Sequence, residues 1–463
     1  MNETPISSHA APLHVLIKSW GCQMNVYDSG RMGDVLAEMG YRATEEADQA
    51  DLVILNTCHI REKASEKLFS ELGRLHETQQ QRAARGQRMV LAVAGCVAQA
   101  QGAEILARAP YVNMVFGPQT YHRLPAMLAR VEAGERSVLD NDFPPESKFD
   151  SLPHEGAPPG PAAFLSIQEG CDRFCTFCVV PYTRGAESSR PALAVLDEAR
   201  RLIARGASEI TLLGQHVNAW RGAAPDGGCW GLGRLLRAMA ELPGLQRLRY
   251  TSPHPLAVDD ELIKAHGDLG VLMPFLHLPV QSGSDSILKA MNRNHAAADY
   301  LRIVERLRAA RSDLVLSSDF IVGFPGESEA DFQATLDLVR EVGYGQAYSF
   351  KYSSRPGTPA ADMPGQLPEQ VKEERLARLQ ELLWAQQKDF NLRCMGQMMP
   401  VLFDRPGRQA GQVLGRSPWM QSVHVEGTND LIGQIRPVRI TQAGLVSIGG
   451  DLESHDMKAE ALC

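Results

Sequence analysis

The 463 residues carry 44% hydrophobic and 22% charged side chains, the balance of a globular chain with room for about three domains of ~150 residues. That composition excludes a fibrous repeat or a disordered polyelectrolyte. A formal net charge of -8 gives no global sign of a nucleic-acid binder, so any such surface must be local.

Residues 1–12 mix Glu3, Pro5, Ser7, Ser8 and His9 without a basic start or an apolar stretch, so no secretory signal is expected. The longest apolar runs, such as 89–98, are about half of the ~20 residues a membrane span requires. The expectation is a cytoplasmic protein with no membrane partner. In that compartment nine cysteines argue for metal binding or catalysis rather than disulfides.

The segments 14–20, 51–57 and 89–95 are short, nearly continuous apolar runs, the pattern of parallel strands covered on both faces. Each leads directly to a cysteine: Cys22, Cys58 and Cys96. The intervals of 36 and 38 residues fit one βα unit apiece, with helices predicted near 28–39 and 61–76. Groups just beyond the carboxyl ends of parallel strands gather along one edge, so the three thiols should face one another. Ordinary burial of cysteine is one alternative. Zinc is another, but a structural zinc site closes with a fourth ligand, and only His59 is at hand.

Six prolines between 143 and 162 rule out a helix or a central strand there and mark a linker. A second proline-rich stretch, 356–368, precedes an amphipathic helix over 369–393, where Val371, Leu376, Leu379, Leu383 and Phe390 recur at helical spacing. The predicted organisation is a domain over 13–142, a linker over 143–162, a core over 163–393 and a last domain over 394–458.

The core opens with a strand at 164–168 followed by Gly170-Cys171-Asp172-Arg173-Phe174-Cys175-Thr176-Phe177-Cys178. A four-iron cubane takes one thiolate per iron, so three cysteines on one loop leave one iron open to a substrate. Zinc would again lack a fourth ligand, since the loop holds no further Cys and no His. Strand-like runs recur at 209–213, 247–251, 275–280, 315–322 and 346–352, with helical segments between them, which makes six βα units and a partial barrel. Sites in parallel barrels lie at the carboxyl ends of strands. Gly214 and Gln215, Gln281, and the run Gly323 to Glu327 fall there and are candidate cofactor contacts, although turn glycines are expected at such ends in any case.

C-x3-C-x2-C at a strand end resembles the radical S-adenosylmethionine (SAM) superfamily. With both cysteine sets in view, nearly the whole chain is similar to the methylthiotransferase family. Trp20-Gly21-Cys22-Gln23-Met24-Asn25, Asn56-Thr57-Cys58, Cys178-Val179-Val180-Pro181-Tyr182-Thr183-Arg184-Gly185 and Gln215-His216-Val217-Asn218-Ala219 carry the resemblance, and Gln23-Met24-Asn25 resembles the branch that acts on N6-dimethylallyladenosine in tRNA rather than those that act on threonylcarbamoyl-adenosine or a ribosomal protein. Ala186 departs from the family, which often has Arg there. The resemblance implies an α/β architecture: an amino-terminal parallel-sheet domain, a partial (βα)6 radical SAM barrel and a small antiparallel β-barrel of the TRAM type. It implies two [4Fe-4S] clusters, one held by Cys171, Cys175 and Cys178 that cleaves SAM, and an auxiliary one held by Cys22, Cys58 and Cys96 that presents sulfur. The implied reaction inserts sulfur and adds a methyl group at C2 of N6-dimethylallyladenosine beside the anticodon. The implied partners are prenylated tRNA, an electron donor and a sulfur source, with the enzyme a monomer. Methylthiolation of a ribosomal-protein side chain and a non-catalytic iron-sulfur RNA-binding scaffold are the alternative functions.

The last domain reads as short β segments at 399–403, 412–414, 422–425, 433–440 and 445–448, the spacing of a small barrel. Arg405, Arg408, Arg416, Arg436 and Arg439 could meet RNA there, as could a basic stretch over 61–88. A purely structural barrel and a solvated helix face are the bland alternatives. Cys229, Cys394 and Cys463 have no partners at ligand spacing.

Overall fold

The computed structural model describes residues 12–59, 64–153, 155–156, 158–225 and 227–453. Cys463, residues 61–63 of the basic stretch and 454–458 of the expected last domain lie outside them. The described residues up to 156, together with Val179–Gly185, form one compact unit. The rest, from Pro158 onward, form a second.

The first unit is built on a six-stranded, fully parallel sheet of order β2-β1-β3-β4-β5-β6: β1 (Leu13–Trp20), β2 (Tyr41–Ala43), β3 (Leu52–Thr57), β4 (Val90–Ala94), β5 (Met114–Phe116) and β6 (Val138–Asp140). Helices α1 (Gln23–Glu38), α2 (Ala64–Ala84), α3 (Cys96–Arg108) and α4 (Leu124–Glu132) cross between strands. Side chains alternate between the faces of a strand, and both faces here are covered. Leu52 and Ile54 of β3 and Val90 and Ala92 of β4 enter one apolar cluster, while Val53, Leu55, Leu91 and Val93 enter the other. A fifth helix, α5 (Val180–Arg184), completes this unit.

In the second unit, β7 (Ala162–Ser166), β10 (Glu209–Leu213) and β13 (Arg247–Tyr250) form one parallel sheet. A second parallel sheet contains β14 (Phe275–His277), β15 (Val315–Val322) and β16 (Gln346–Lys351). Single bridges at Leu248–Leu272 and Gln281–Phe320 extend the pairing. Between these strands run α6 (Ala192–Ala204), α7 (Leu232–Ala240), α8 (Asp260–Asp268), α9 (Asp285–Ala290), α10 (Ala297–Ala310) and α11 (Glu329–Val342). These are the six βα strands expected from sequence. Two small antiparallel pairs, β8 (Gln168–Glu169) with β9 (Ser188–Ser189) and β11 (Gly222–Ala223) with β12 (Cys229–Trp230), decorate the carboxyl ends. Helix α11 starts where Ser328 and Asp331 cap each other: Asp331 N–H donates to Ser328 Oγ at 3.2 Å, and Ser328 N–H donates to Asp331 Oδ2 at 2.9 Å.

Helix α12 (Glu369–Arg393) has the bounds read from the sequence. Its Leu379 and Leu383 join the core of the barrel-like region, and Phe390 packs on the interior of the final β-barrel. That barrel is closed in the order β17-β18-β19-β21-β20, with β17 (Met398–Pro406), β18 (Gln412–Arg416), β19 (Ser422–Glu426), β20 (Ile435–Ala443) and β21 (Ser447–Leu452). Its pairs are antiparallel except β19 with β21, which is parallel.

A buried charge cluster fastens this barrel to the preceding core. Arg247 donates to the carbonyls of Arg416 at 2.9 Å and Pro400 at 2.6 Å, and Arg249 donates to those of Pro418 at 2.9 Å and Ser417 at 3.1 Å. Glu209 faces both and offsets one of the two positive charges, its Oε2 lying 3.1 Å from Arg249 Nε and 3.7 Å from Arg247 Nη1.

Candidate functional site

The first thiol trio sits where the sheet topology requires. Strands β1, β3 and β4 are neighbours; Cys22 caps α1 just beyond β1, Cys58 follows β3, and Cys96 opens α3 after β4. The Cys58 thiol hydrogen-bonds with both Cys22 and Cys96. That sharing pulls Cys22 down to about 6 and Cys96 down to about 7, while it pushes Cys58 up. The trio therefore carries thiolate character at neutral pH, the state that binds metal.

Two asparagines build the cradle. Asn25 Oδ1 accepts from both the backbone N–H and the Sγ of Cys22 at 3.3 Å, and Asn25 Nδ2 donates to Asn56 Oδ1 at 3.0 Å. Asn56 Nδ2 in turn donates to Asn25 O and Ser29 Oγ, both at 2.9 Å. The backbone passes so close that side chains are forbidden at two points. A Cβ on Gly21 would lie 2.5 Å from Cys58 Cβ, and one on Gly95, at φ +90°, would lie 2.4 Å from Asn56 Oδ1 and 2.7 Å from Thr57 O.

Charge lies beside the same trio. Arg184 of α5 hydrogen-bonds with Cys96 and acts electrostatically on Cys22. Its Nη2 is 2.6 Å from Asp28 Oδ2, and Lys148 Nζ is 3.7 Å from Asp28 Oδ1, with all three side chains buried.

The second trio occupies a loop that neighbouring elements pin at every turn. Gly170 N–H donates to Gln215 Oε1 at 2.7 Å, and Gln168 Nε2 donates to Gly170 O at 2.8 Å. Phe174 takes a positive φ of 48°, held by Asn292 Nδ2 donating to its carbonyl at 3.1 Å. Thr176 bonds to Met291 O and Ala290 O, and Cys178 N–H donates to Cys175 O at 2.9 Å. Cys175 is buried, with Arg293 Nη1 3.9 Å from its sulfur; Cys171 and Cys178 are partly open. Burial raises the Cys171 thiol above its ordinary range.

Among the described residues no three or more His, Cys, Asp or Glu side chains are grouped to hold one metal ion. A cubane makes a different demand, one thiolate to each of several irons. Both trios supply that soft donor set, with backbone donors and cations around the sulfurs, so the residues fit a [4Fe-4S] cluster.

The other candidate residues do structural work here. Gln215 braces the cysteine loop, and Gly214 packs so tightly that a Cβ would meet Gln168 Oε1 at 2.7 Å. Gln281 adopts φ +79° and continues the pairing with β15. Glu327 accepts from Gly323 N–H at 2.7 Å and from Arg375 Nη1 at 2.6 Å, closing its own loop. Sequence reasoning missed a row of buried imidazoles, His216, His254 and His295, with ring centroids 5.5 and 5.6 Å apart. Among the described residues none of the three Nε2 atoms has a hydrogen-bond partner. His254 Nδ1 accepts from Leu256 N–H at 3.2 Å, which leaves its proton on Nε2. Desolvation lowers His254 strongly and takes His295 down to about 4, so both are neutral.

Residues 14–117 match the model of uncharacterized protein family UPF0004, and residues 165–339 match that of the Radical SAM superfamily. Residues 165–339 form a radical SAM domain. The radical SAM match implies SAM and a [4Fe-4S] cluster, for which Cys171, Cys175 and Cys178 are the three thiols on one loop. Among solved structures, the chain is similar to the cobalamin-dependent SAM radical enzyme OxsB with aqua-cobalamin bound, at 13% identity and TM-score 0.52. The match covers 80% of this chain but only 56% of OxsB. It is also similar to the radical SAM methyltransferase TsrM from Kitasatospora setae with cobalamin and a [4Fe-4S] cluster bound, at 14% identity and TM-score 0.56, covering 76% of this chain and 77% of that one. At such identities the likeness is one of fold. Among the described residues no helix is long and apolar enough to cross a membrane.

Proposed function

We propose that this chain is a tRNA methylthiotransferase that converts N6-dimethylallyladenosine beside the anticodon to its 2-methylthio derivative. The observation that carries the reading is the second thiol trio: a radical SAM domain needs Cys171, Cys175 and Cys178 alone, yet the UPF0004 segment brings Cys22, Cys58 and Cys96 together at one sheet edge. Cys171, Cys175 and Cys178 would hold a cluster that, once reduced by an external one-electron donor, would supply reductive cleavage of SAM to methionine and a deoxyadenosyl radical able to take hydrogen from C2 of the base. The chain's own task is placement. Gln215 and Asn292 fix the loop of the second trio, while Asn25 and Asn56 fix the first, whose thiolates suit an auxiliary four-iron cluster as the sulfur source.

Partner tRNA is proposed to meet the final barrel, where Arg405, Arg408 and Arg439 are exposed. The cobalamin of OxsB and TsrM suggests a rival cofactor for the first unit. Soft thiolates at the sheet edge favour iron and sulfide instead.

The test is anaerobic turnover of reconstituted enzyme with prenylated tRNA, dithionite and SAM, reading deoxyadenosine and digested nucleosides. Cys175→Ala should abolish both products. Cys96→Ala should keep deoxyadenosine and lose the methylthio nucleoside. A well-folded Cys96→Ala enzyme that still makes full methylthio product, or wild type whose activity depends on added cobalamin, refutes the proposal.

A further inference from the structure

Arg184, Asp28 and Lys148 are respectively 3%, 0% and 2% exposed, so two cations and one carboxylate lie buried together. Taking an ion out of water costs several kcal/mol unless counter-charge and hydrogen bonds compensate. Asp28 satisfies part of that demand, bonded to Arg184 at 2.6 Å and facing Lys148 at 3.7 Å. Lys148 is held in place from other directions: its Nζ donates to Pro118 O at 2.8 Å and lies 4.5 Å from the centroid of the Tyr121 ring. The Arg184 guanidinium is also aimed at the first thiol trio. The Arg184 carbonyl accepts from Gln119 Nε2 at 2.9 Å, and its guanidinium, steadied by Asp28, hydrogen-bonds with Cys96 and acts electrostatically on Cys22. Asp28 itself rides on α1, the helix that Cys22 caps.

A four-iron cubane held by three thiolates would be a buried anion, and the Arg184 guanidinium places positive charge beside its thiols. Net charge and hydrogen bonds to the sulfurs are among the factors that set such a cluster's potential. We infer that Arg184 is a positioning residue that sets the reduction potential of the cluster held by Cys22, Cys58 and Cys96, with Asp28 fixing where its charge sits. The inference rests on the proposed reading of that trio.

The experiment removes the radical SAM cluster by Cys175→Ala, leaving a full-length chain with one cluster, and follows its reduction by electron paramagnetic resonance during a redox titration. Added Arg184→Met takes away the cation. At fixed potential the reduced-to-oxidised ratio should fall at least tenfold, which is ~59 mV for one electron. Arg184→Lys, which keeps the charge, should recover most of that shift. Asp28→Asn, which removes the negative charge beside Arg184 and Lys148, should move the potential upward. Opposite signs from the two halves of one ion pair are what a merely structural role cannot produce. Should Arg184→Met fail to hold iron, Asp28→Asn carries the test. A Cys175→Ala chain that binds no iron sinks the reading of the trio and the inference with it. About four irons per chain, with an unchanged potential in Arg184→Met or Asp28→Asn, overturns the inference alone.

Discussion

Gly95→Ala adds one methyl group at the tightest point of the first trio. Gly95 holds φ +90° and ψ -163°, a region open to glycine and costing other residues of order 1–3 kcal/mol. The new Cβ would also stand 2.4 Å from Asn56 Oδ1 and 2.7 Å from Thr57 O. Asn56 cannot swing away freely, because its amide holds Asn25 O and Ser29 Oγ and receives Asn25 Nδ2. Thr57 O is main chain between β3 and Cys58 and yields only if Cys58 moves. Strain and displacement together should cost about 2–4 kcal/mol, and they fall on the residues that aim Cys22, Cys58 and Cys96. The assay is iron and sulfide per chain after anaerobic reconstitution, alongside a thermal melt of the metal-free protein. Wild type should take up about eight irons, four per cubane, and Gly95→Ala about four, with a lowered melting temperature. A variant with full iron and an unchanged melt would refute the argument that this glycine makes the site.

Arg249→Met removes one half of the buried clamp, leaving Glu209 underpaired and the Ser417 and Pro418 carbonyls without their donor. It should cost about 3–5 kcal/mol in urea denaturation, and a loss below ~1 kcal/mol would contradict the clamp. Acid should weaken the fold through its buried histidines. Burial takes His266 down to about 3 and His295 to about 4, against ~6.5 unfolded, so the unfolded chain binds more protons in that window. Their stabilisation is intact above pH ~6.5 and is lost as pH falls toward 4, by up to ~1.4 kcal/mol per histidine per pH unit; melts of the metal-free protein that stay flat from pH 7 to 5 would count against it. For the barrel, binding of tRNA should weaken steeply with salt as phosphate contacts release counterions, and Arg405→Ala with Arg439→Ala should reduce that slope; an unchanged slope removes these arginines from the interface.

The cysteines were legible because the pattern that marks a strand also marks where it ends. Runs such as 51–57 and 89–95 are continuous and apolar, and the residue that follows must sit on the sheet edge. Strands β2, β5 and β6 went unread because three residues establish no period. Lys148 went unread for another reason. It lies in a proline-rich stretch that reads as linker, and only the fold shows it buried against Asp28, 120 positions earlier. Arg184 lies within the run Cys178 to Gly185, but its meaning depends on Asp28, 156 positions away. His216, His254 and His295 are three isolated letters until the barrel-like core places them in one row.

The clamp between core and final barrel has a consequence for domain exchange. Arg247 and Arg249 grip only carbonyls, of Pro400, Arg416, Ser417 and Pro418, and every residue type supplies a carbonyl. Apart from Trp419 and Gln421, whose side chains donate to Asp313 O at 3.0 Å and to Asn391 Oδ1 at 2.8 Å, the barrel's side chains can drift without loosening this clamp, provided the backbone path is kept. A foreign barrel of the same path that also kept the Trp419 and Gln421 contacts could be grafted after α12 and inherit the attachment, which makes this module a natural unit for exchange.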